Sequence, residues 1–209
     1  MRFCTMNSAI LYYIHDPMCS WCWGFNKTWE KVSDSLPSTI NVEYILGGLA
    51  PDSSEIMTFE MRQYIQKNWQ KIQQAIPGTQ FNYYFWENCT PMRSTYPACR
   101  AVIAVKNQNP NLEKSMIKLI QQAYYLAAKN PSEDSTLISL AKTLDLDVAQ
   151  FTQALNAEST QQQLLEGIAL MQSLGVSSFP SLVLKTDSAL KPINIDYNNA
   201  DFILAQIIT

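Results

Sequence analysis

The chain has 209 residues, of which 47% are apolar and 16% charged, with a formal net charge of −3. That balance belongs to a globular chain able to bury a sizeable core. It argues against a nucleic-acid partner, because no Lys/Arg cluster is long enough to track phosphates. No apolar run approaches the roughly 18–20 residues needed to cross a membrane. The opening MRFCTMNSAILYYIHDP has too short an apolar stretch and no small-residue cleavage site for a secretory signal. A cytoplasmic protein with no membrane partner is expected.

In chain order, Ser8–Ile14 (SAILYYI) is a short β-rich run and reads as a buried strand. The segment HDPMCSWCWGF follows. Cys22, Phe25, Trp29, Val32 and Leu36 then recur at spacings of three and four, one face of a helix that Pro37 ends. Ile40–Leu46 (INVEYIL) reads as a second strand, closed by Gly47 and Gly48. Strand, helix and strand make a right-handed crossover with parallel strands. From Thr58 to Leu174 helical spacing takes over, as in Met61, Ile65, Trp69 and Ile72, in Met116, Leu119, Ile120 and Ala123, and in Leu164, Leu165, Ile168 and Met171. Pro77-Gly78, Asn109-Pro110 and Asn130-Pro131 punctuate it, and Ser132–Asp134 reads as a helix start. Strand character returns at Ser181–Lys185 and Lys191–Ile195, and a helix over Ala200–Ile208 closes the chain. The pattern predicts an α/β domain built from residues 1–57 and 175–209, with a helical domain, 58–174, inserted.

Five cysteines occur: Cys4, Cys19, Cys22, Cys89 and Cys99. An odd count at irregular spacing does not suit a stapling framework. Cys19 and Cys22 are three apart at the start of a helix, where free N–H groups and the helix dipole favour a thiolate. A C-x-x-C pair serves a zinc site, a structural bridge or redox exchange. Zinc needs two further ligands, commonly a second close pair, and none is present, so no metal is expected. The strand before the pair and the β-α-β pattern around it favour thiol–disulfide exchange.

With those residues in view, DPMCSWCWGF resembles the active-site segment of the DsbA-like branch of the thioredoxin superfamily, and within it the predicted protein-disulfide isomerases related to FrnE. Leu46-Gly47-Gly48-Leu49, Pro97–Val102 (PACRAV) and Leu174–Leu184 (LGVSSFPSLVL) resemble further stretches of that family, so the resemblance spans essentially the whole chain. It implies a thioredoxin-like α/β fold with an inserted α-helical domain, and a thiol:disulfide oxidoreductase or isomerase acting on protein thiols and disulfides. Cys19 would be the attacking nucleophile and Cys22 the resolving thiol, with Ser20 and Trp21 tuning the pair and Trp21 also lining a substrate groove. Phe179-Pro180 would hold the cis proline, leaving the Phe179 backbone to pair with an extended substrate. No cofactor is implied beyond the redox-active disulfide, with glutathione a candidate co-substrate and a homodimer a candidate assembly.

The chain also departs from this family. DsbA carries a His between its cysteines and this chain does not, so a milder, more reducing pair is expected. Thioredoxin has a buried acid on the strand before its pair. Here Tyr13 occupies that position, which leaves the proton acceptor for Cys22 unassigned. Asp16 reads either as a carboxylate capping the helix start and acting on the thiolate, or as part of a simple Asp-Pro turn. His15 is a candidate acid or base set against a hydrogen-bonded surface group. Arg93 and Arg100 are candidates for a glutathione carboxylate. Cys99 reads as a buried core thiol, Cys4 as incidental, and the aromatic run Phe81–Trp86 as packing. Two other classes stay in view. One is a glutathione-dependent transferase or isomerase of the kappa or 2-hydroxychromene-2-carboxylate isomerase type, which carries a serine at the nucleophile. The other is a thioredoxin-fold binding or chaperone module.

Overall fold

A computed structural model describes residues 9–208. Cys4 and Ser8 lie outside the described residues. The chain runs β1 (Ala9–His15), α1 (Ser20–Asp34), β2 (Ile40–Leu46), then α2 (Phe59–Ala75), α3 (Phe85–Asn88), α4 (Tyr96–Gln108), α5 (Glu113–Tyr125), α6 (Asp134–Ala141), α7 (Val148–Leu155) and α8 (Glu158–Ser173). It closes with β3 (Ser181–Lys185), β4 (Leu190–Ile193) and α9 (Ala200–Ile207). This is a mixed α/β fold of thioredoxin type, with helices α2 to α8 between the second and third strands.

One sheet has the order β2-β1-β3-β4. The parallel pairing of β1 with β2 sets His15 opposite Leu46. The antiparallel pairing of β1 with β3 sets Ile14 opposite Ser181. That second register decides the site, because it places the turn after β1 beside the turn before β3. Alternation along β1 splits its side chains between two faces. Leu11 and Tyr13 pack on Phe25, Trp29 and Val32 of α1 and Ile203 and Ile207 of α9. Tyr12 and Ile14 face Met171 of α8 with Ile45 and Val183. The sheet is thus covered on both faces, which explains the near-continuous apolar reading of β1.

The helical segment packs around α4, whose residues Pro97–Val105 are all buried. Small and β-branched residues on every side of PACRAVIAV make this burial practicable. Leu46 at the end of β2 joins the same core. A second core gathers Trp69, Phe85, Tyr124 and Tyr125 with Phe81, Tyr83 and Trp86 against them, so the aromatic run is packing except at Tyr84, which is exposed. α1 meets α2 at Gly24, where a Cβ would lie 2.7 Å from Ile76 Cδ1 and 2.9 Å from Ile72 Cγ2. Side-chain oxygens of Thr58, Asp147 and Asn199 accept first-turn N–H groups of α2, α7 and α9. No helix among the described residues is long and apolar enough to cross a membrane.

Candidate functional site at the start of the first helix

Cys19 is the N-cap of α1, and no side chain caps that helix start. Its backbone N–H donates to Asp16 O at 3.0 Å, which closes the turn that aims the helix. The first-turn N–H groups of a helix have no intrahelical acceptor. Here the side chain placed to face them is a sulfur, with no acidic residue in the first turn to compete. The Cys19 thiol also donates to the Phe179 carbonyl at 3.7 Å. That carbonyl belongs to the Phe179-Pro180 peptide bond, which is cis. The two segments are far apart in sequence and meet because Ile14 and Ser181 are paired in the sheet.

Cys22 sits one turn inward and is fully buried. Burial pushes its thiol well up. The hydrogen bond and charge of Cys19 and the charge of Asp16 add to this, and the Asp16 backbone N–H opposes it. Both sulfurs are free thiols. The pair is therefore asymmetric: Cys19 meets a cleft, while Cys22 holds its proton in the interior.

Asp16 is a tether, not a helix cap. Its Oδ1 accepts the Met18 N–H at 2.7 Å, as in a tight Asx turn. Its Oδ2 accepts the Leu49 N–H at 2.7 Å, the Thr95 hydroxyl at 2.6 Å and the Cys99 thiol at 3.5 Å. One carboxylate thus joins the loop before Cys19, the loop after β2 and the start of α4. Burial raises its pKa, with the bonds from Thr95, Leu49, Met18 and Cys99 opposing. The Tyr125 hydroxyl holds the same loop, donating to Met18 O at 2.7 Å. The sequence reading of Asp16 as either a cap or a simple turn missed its tertiary partners. Nothing local marks Thr95 or Leu49 as its donors.

Gly47 and Gly48 have separate reasons. Gly48 has φ +59°, the left-handed region that suits glycine. At Gly47 the constraint is space, because a Cβ there would fall into the Phe179 ring. The glycine pair thus lets Phe179 close down beside Cys19.

His15 corrects the sequence reading. It is 1% exposed, not a surface group, and its Nε2 has no hydrogen-bond partner. Its ring stacks on Tyr13 at 5.0 Å and meets Tyr44 edge-on at 5.6 Å. Burial lowers its pKa to about 3, helped by the charge of Lys106. It lines a cavity of about 420 Å³ with Tyr13, Trp29 and Lys114, separate from the Cys19 cleft. Tyr13, at the place of the thioredoxin acid, is held protonated by burial well above the usual phenol range.

The Cys19 cleft is a cavity of about 380 Å³. Cys19, Ser20, Trp21 and Phe179 line it together, while Pro180 lines a different surface pocket with Leu174 and Val183. Met57 and Pro91–Thr95 form another part of its wall, joined where Met57 N–H donates to Pro91 O at 2.9 Å and Ile56 bridges Met92. Ile56, Phe59 and Tyr64 near that wall are 61%, 67% and 58% exposed, an apolar rim. Trp21 also packs on Tyr197 at 5.1 Å. Arg100 is not free to meet a ligand. It is buried, pairs with Asp52 at 2.7 and 3.0 Å and donates to Leu155 O at 3.2 Å. Among the described residues no cluster of three or more His, Cys, Asp or Glu side chains could hold a metal ion.

A reduced cysteine pair at a helix start, facing a cis-proline loop in a four-stranded sheet, defines the thioredoxin class. The chain belongs to the thioredoxin family, whose sequence pattern matches residues 12–198. A candidate protein disulfide isomerase from Nitrosomonas europaea superposes with a TM-score of 0.83 at 28% identity, over 96% of each chain. The cytosolic disulfide reductase DsbM from Pseudomonas aeruginosa, solved with GSH, has the same fold, with a TM-score of 0.70 at 22% identity over 88% of this chain and 89% of that one. In sequence, the chain is 22% identical over 182 residues to the ClpXP adapter protein SpxH of Halalkalibacterium halodurans. That match takes in 85% of this chain but only 59% of the adapter's length.

Proposed function

We propose that this protein is a thiol:disulfide oxidoreductase of the reducing cytoplasm, with Cys19 as nucleophile and Cys22 as resolving thiol. The observation that carries the reading is the placement of the Cys19 sulfur. It stands at the uncapped start of α1, 3.7 Å from the Phe179 carbonyl, at the mouth of the cleft, with Cys22 buried one turn behind.

The Cys19 thiolate attacks one sulfur of a bound disulfide. A bond forms between Cys19 and that sulfur, and the other sulfur leaves as a thiolate that takes up a proton. The exposed edge of the Phe179 backbone aligns the substrate segment for in-line attack. Cys22 then loses its proton and attacks the Cys19 sulfur. The mixed disulfide breaks, the second substrate thiol leaves, and Cys19–Cys22 closes as a disulfide. Two electrons have passed from the enzyme to the substrate. Run backwards, the same steps oxidise a dithiol, and run through the mixed disulfide alone they isomerise one. Burial and the Asp16 charge keep Cys22 protonated until a mixed disulfide forms, so the two thiols do not compete. No cofactor beyond this pair enters the reaction. Protein disulfides and glutathione are its partners, consistent with a relative solved with GSH.

Insulin reduction tests this directly. Cys19→Ser is expected to bring turnover down to the uncatalysed background. Cys22→Ser is expected to accumulate a mixed disulfide on Cys19, visible by mass. Turnover that survives loss of both thiols sinks the exchange reading. Glutathione conjugation by the double variant would favour the transferase class instead. The apolar rim and the similarity to SpxH adapters also support a second reading, a protein-binding module. Pull-down of an unfolded client that is equally strong with both cysteines replaced would favour it.

A further inference from the structure

The exchange cycle leaves one proton without a destination. Cys22 must lose it before attacking Cys19, and the interior around its sulfur holds few groups able to take it. Among the described residues, Cys22 feels the charges of Cys19 and Asp16, while Tyr13, Tyr125 and Tyr197 feel the charge of Cys22. Burial holds the three phenols protonated, above their ordinary range. Cys19 is bonded to the substrate at that moment. Asp16 remains, the one carboxylate of the set.

The Asp16 backbone is fixed against both cysteines. Its carbonyl accepts the Cys19 N–H at 3.0 Å, and its own N–H donates to the Cys22 sulfur. The residue is fully buried. Three donors fill Oδ2: the Leu49 N–H at 2.7 Å, the Thr95 hydroxyl at 2.6 Å and the Cys99 thiol at 3.5 Å. Oδ1 takes the Met18 N–H alone, and a carboxylate oxygen has two lone pairs, so Oδ1 keeps one for a proton. No Lys or Arg pairs with this carboxylate among the described residues, and its burial moves it toward the range in which a carboxylate serves as a base near neutral pH. The groups facing it are Cys19 and Cys22 of α1, Tyr96 and Cys99 of α4, and Tyr124 and Tyr125 of α5. Arg100, further along α4, is engaged by Asp52.

Two of the four donors come from the helical segment. Thr95 is the N-cap of α4, and Cys99 lies one turn on. Thr95 also lines the Cys19 cleft, so its hydroxyl links Asp16 to the space in which a leaving thiolate appears.

We propose that Asp16 takes the Cys22 proton in the resolving step, and that Thr95 and Cys99 are positioning residues through which the helical segment sets how readily it does so. This rests on the exchange reading above. With the substrate bonded to Cys19, the Cys22 proton passes to the Asp16 carboxylate and the Cys22 thiolate attacks the Cys19 sulfur. The Cys19–Cys22 bond forms, the bond from Cys19 to the substrate breaks, and the substrate sulfur leaves with the electron pair. Asp16 returns the proton through the Thr95 hydroxyl to the cleft, where the leaving thiolate takes it up. The carboxylate is regenerated and no further reagent is consumed.

Stopped-flow reaction of the reduced protein with dithiodipyridine separates the steps. One pyridinethione is released when Cys19 attacks and a second when Cys22 closes the bridge, and acid-quenched mass assigns the intermediate. A Cys4→Ser, Cys89→Ser background keeps those thiols out of the trace. Asp16→Asn is expected to slow the second release about 100-fold near neutral pH and the first by less than about threefold. The second release should then climb about tenfold per pH unit, as hydroxide replaces the carboxylate, where the protein with Asp16 shows a plateau. An unchanged second release, or the same plateau, overturns the proposal. Cys99 gives a test that survives misfolding of Asp16→Asn. Cys99→Ala removes a weak donor from the carboxylate, so the rising limb of the second release should move up by about half a pH unit. Cys99→Ser supplies a stronger donor and should move it down by about as much. Loss of packing does not give opposite shifts, and limbs that coincide in the two variants overturn the positioning role. A protein with Asp16 that forms no Cys19 adduct overturns the exchange reading itself.

Discussion

Two cavities share α1 as a wall, and they have opposite characters. The cleft at its first turn holds the Cys19 sulfur, one cation in Arg93, and no carboxylate among its described lining residues. The cavity further along holds His15 with Lys27, Lys114 and Lys118, and with Glu30 and Asp34. Each contains a buried polar atom without a partner, Ser94 Oγ in one and His15 Nε2 in the other. Their sizes are similar, about 380 and 420 Å³. Volume and an unpartnered atom therefore do not make a redox site. What separates them is a reactive atom at a helix start, and a charge of one sign left uncancelled near it. In the second cavity charges of both signs are present, and burial keeps the imidazole ring that lines it in its neutral form.

The comparison can be attacked first at Gly47. Gly47→Ala puts a methyl where the Phe179 ring lies. We expect kcat/KM for insulin reduction to fall about 10²-fold, since a displacement of about 1 Å is enough for that, with a stability loss of about 1–3 kcal/mol. Equal turnover in the variant would mean that Phe179 does not shape the cleft. His15→Phe is the matching change in the other cavity, and turnover there should stay within about twofold of wild type.

Next come the arginines. Arg100→Ala removes a buried set of charge-assisted bonds, and we expect a loss of about 2–3 kcal/mol in urea unfolding. The smallest effect falls on Arg93→Ala, at the rim, which should change stability by less than about 0.5 kcal/mol. A large loss there would recast Arg93 as structural.

Between these lies the pH dependence of His15. Its folded pKa is about 3 against an ordinary 6.5, so the unfolded chain binds the extra proton as pH falls. Stability from keeping the ring neutral is complete above pH 6.5 and is lost progressively toward pH 3. At pH 5 the loss is about 2 kcal/mol. His15→Phe lacks this component, so its unfolding free energy should fall less between pH 7 and pH 5 than wild type's. An equal fall in both proteins would place the ring in contact with water.

Much of the architecture was legible in the chain. Ser8–Ile14 anticipated β1, and Ile40–Leu46 and Ser181–Lys185 matched β2 and β3 to the residue, because short apolar runs bounded by turn residues are local signals. The α1 face at Cys22, Phe25, Trp29 and Val32 is buried as its spacing required. The fourth strand starts one residue earlier and ends two residues earlier than the Lys191–Ile195 expected from sequence, at Leu190–Ile193, since exposed edge residues give weak alternation. The ionisable groups were read less well. His15 and Asp16 are neighbours in sequence and both buried, yet one has a ring nitrogen, Nε2, without a hydrogen-bond partner and the other accepts from four donors. Neither outcome is written in the residues beside them.

By itself the sequence determined the thioredoxin class, the Cys19–Cys22 pair and the distant Phe179-Pro180, because each is a short stretch whose chemistry is local. The tertiary structure alone decided what those stretches meet. Pairing Ile14 with Ser181 brings the proline loop to Cys19, Asp16 is saturated by donors from Leu49, Thr95 and Cys99, and Arg93 is left open while Arg100 is closed. Hydrogen bonds and charge pairing act over a few ångströms in space, and the chain order of the partners carries no trace of those distances.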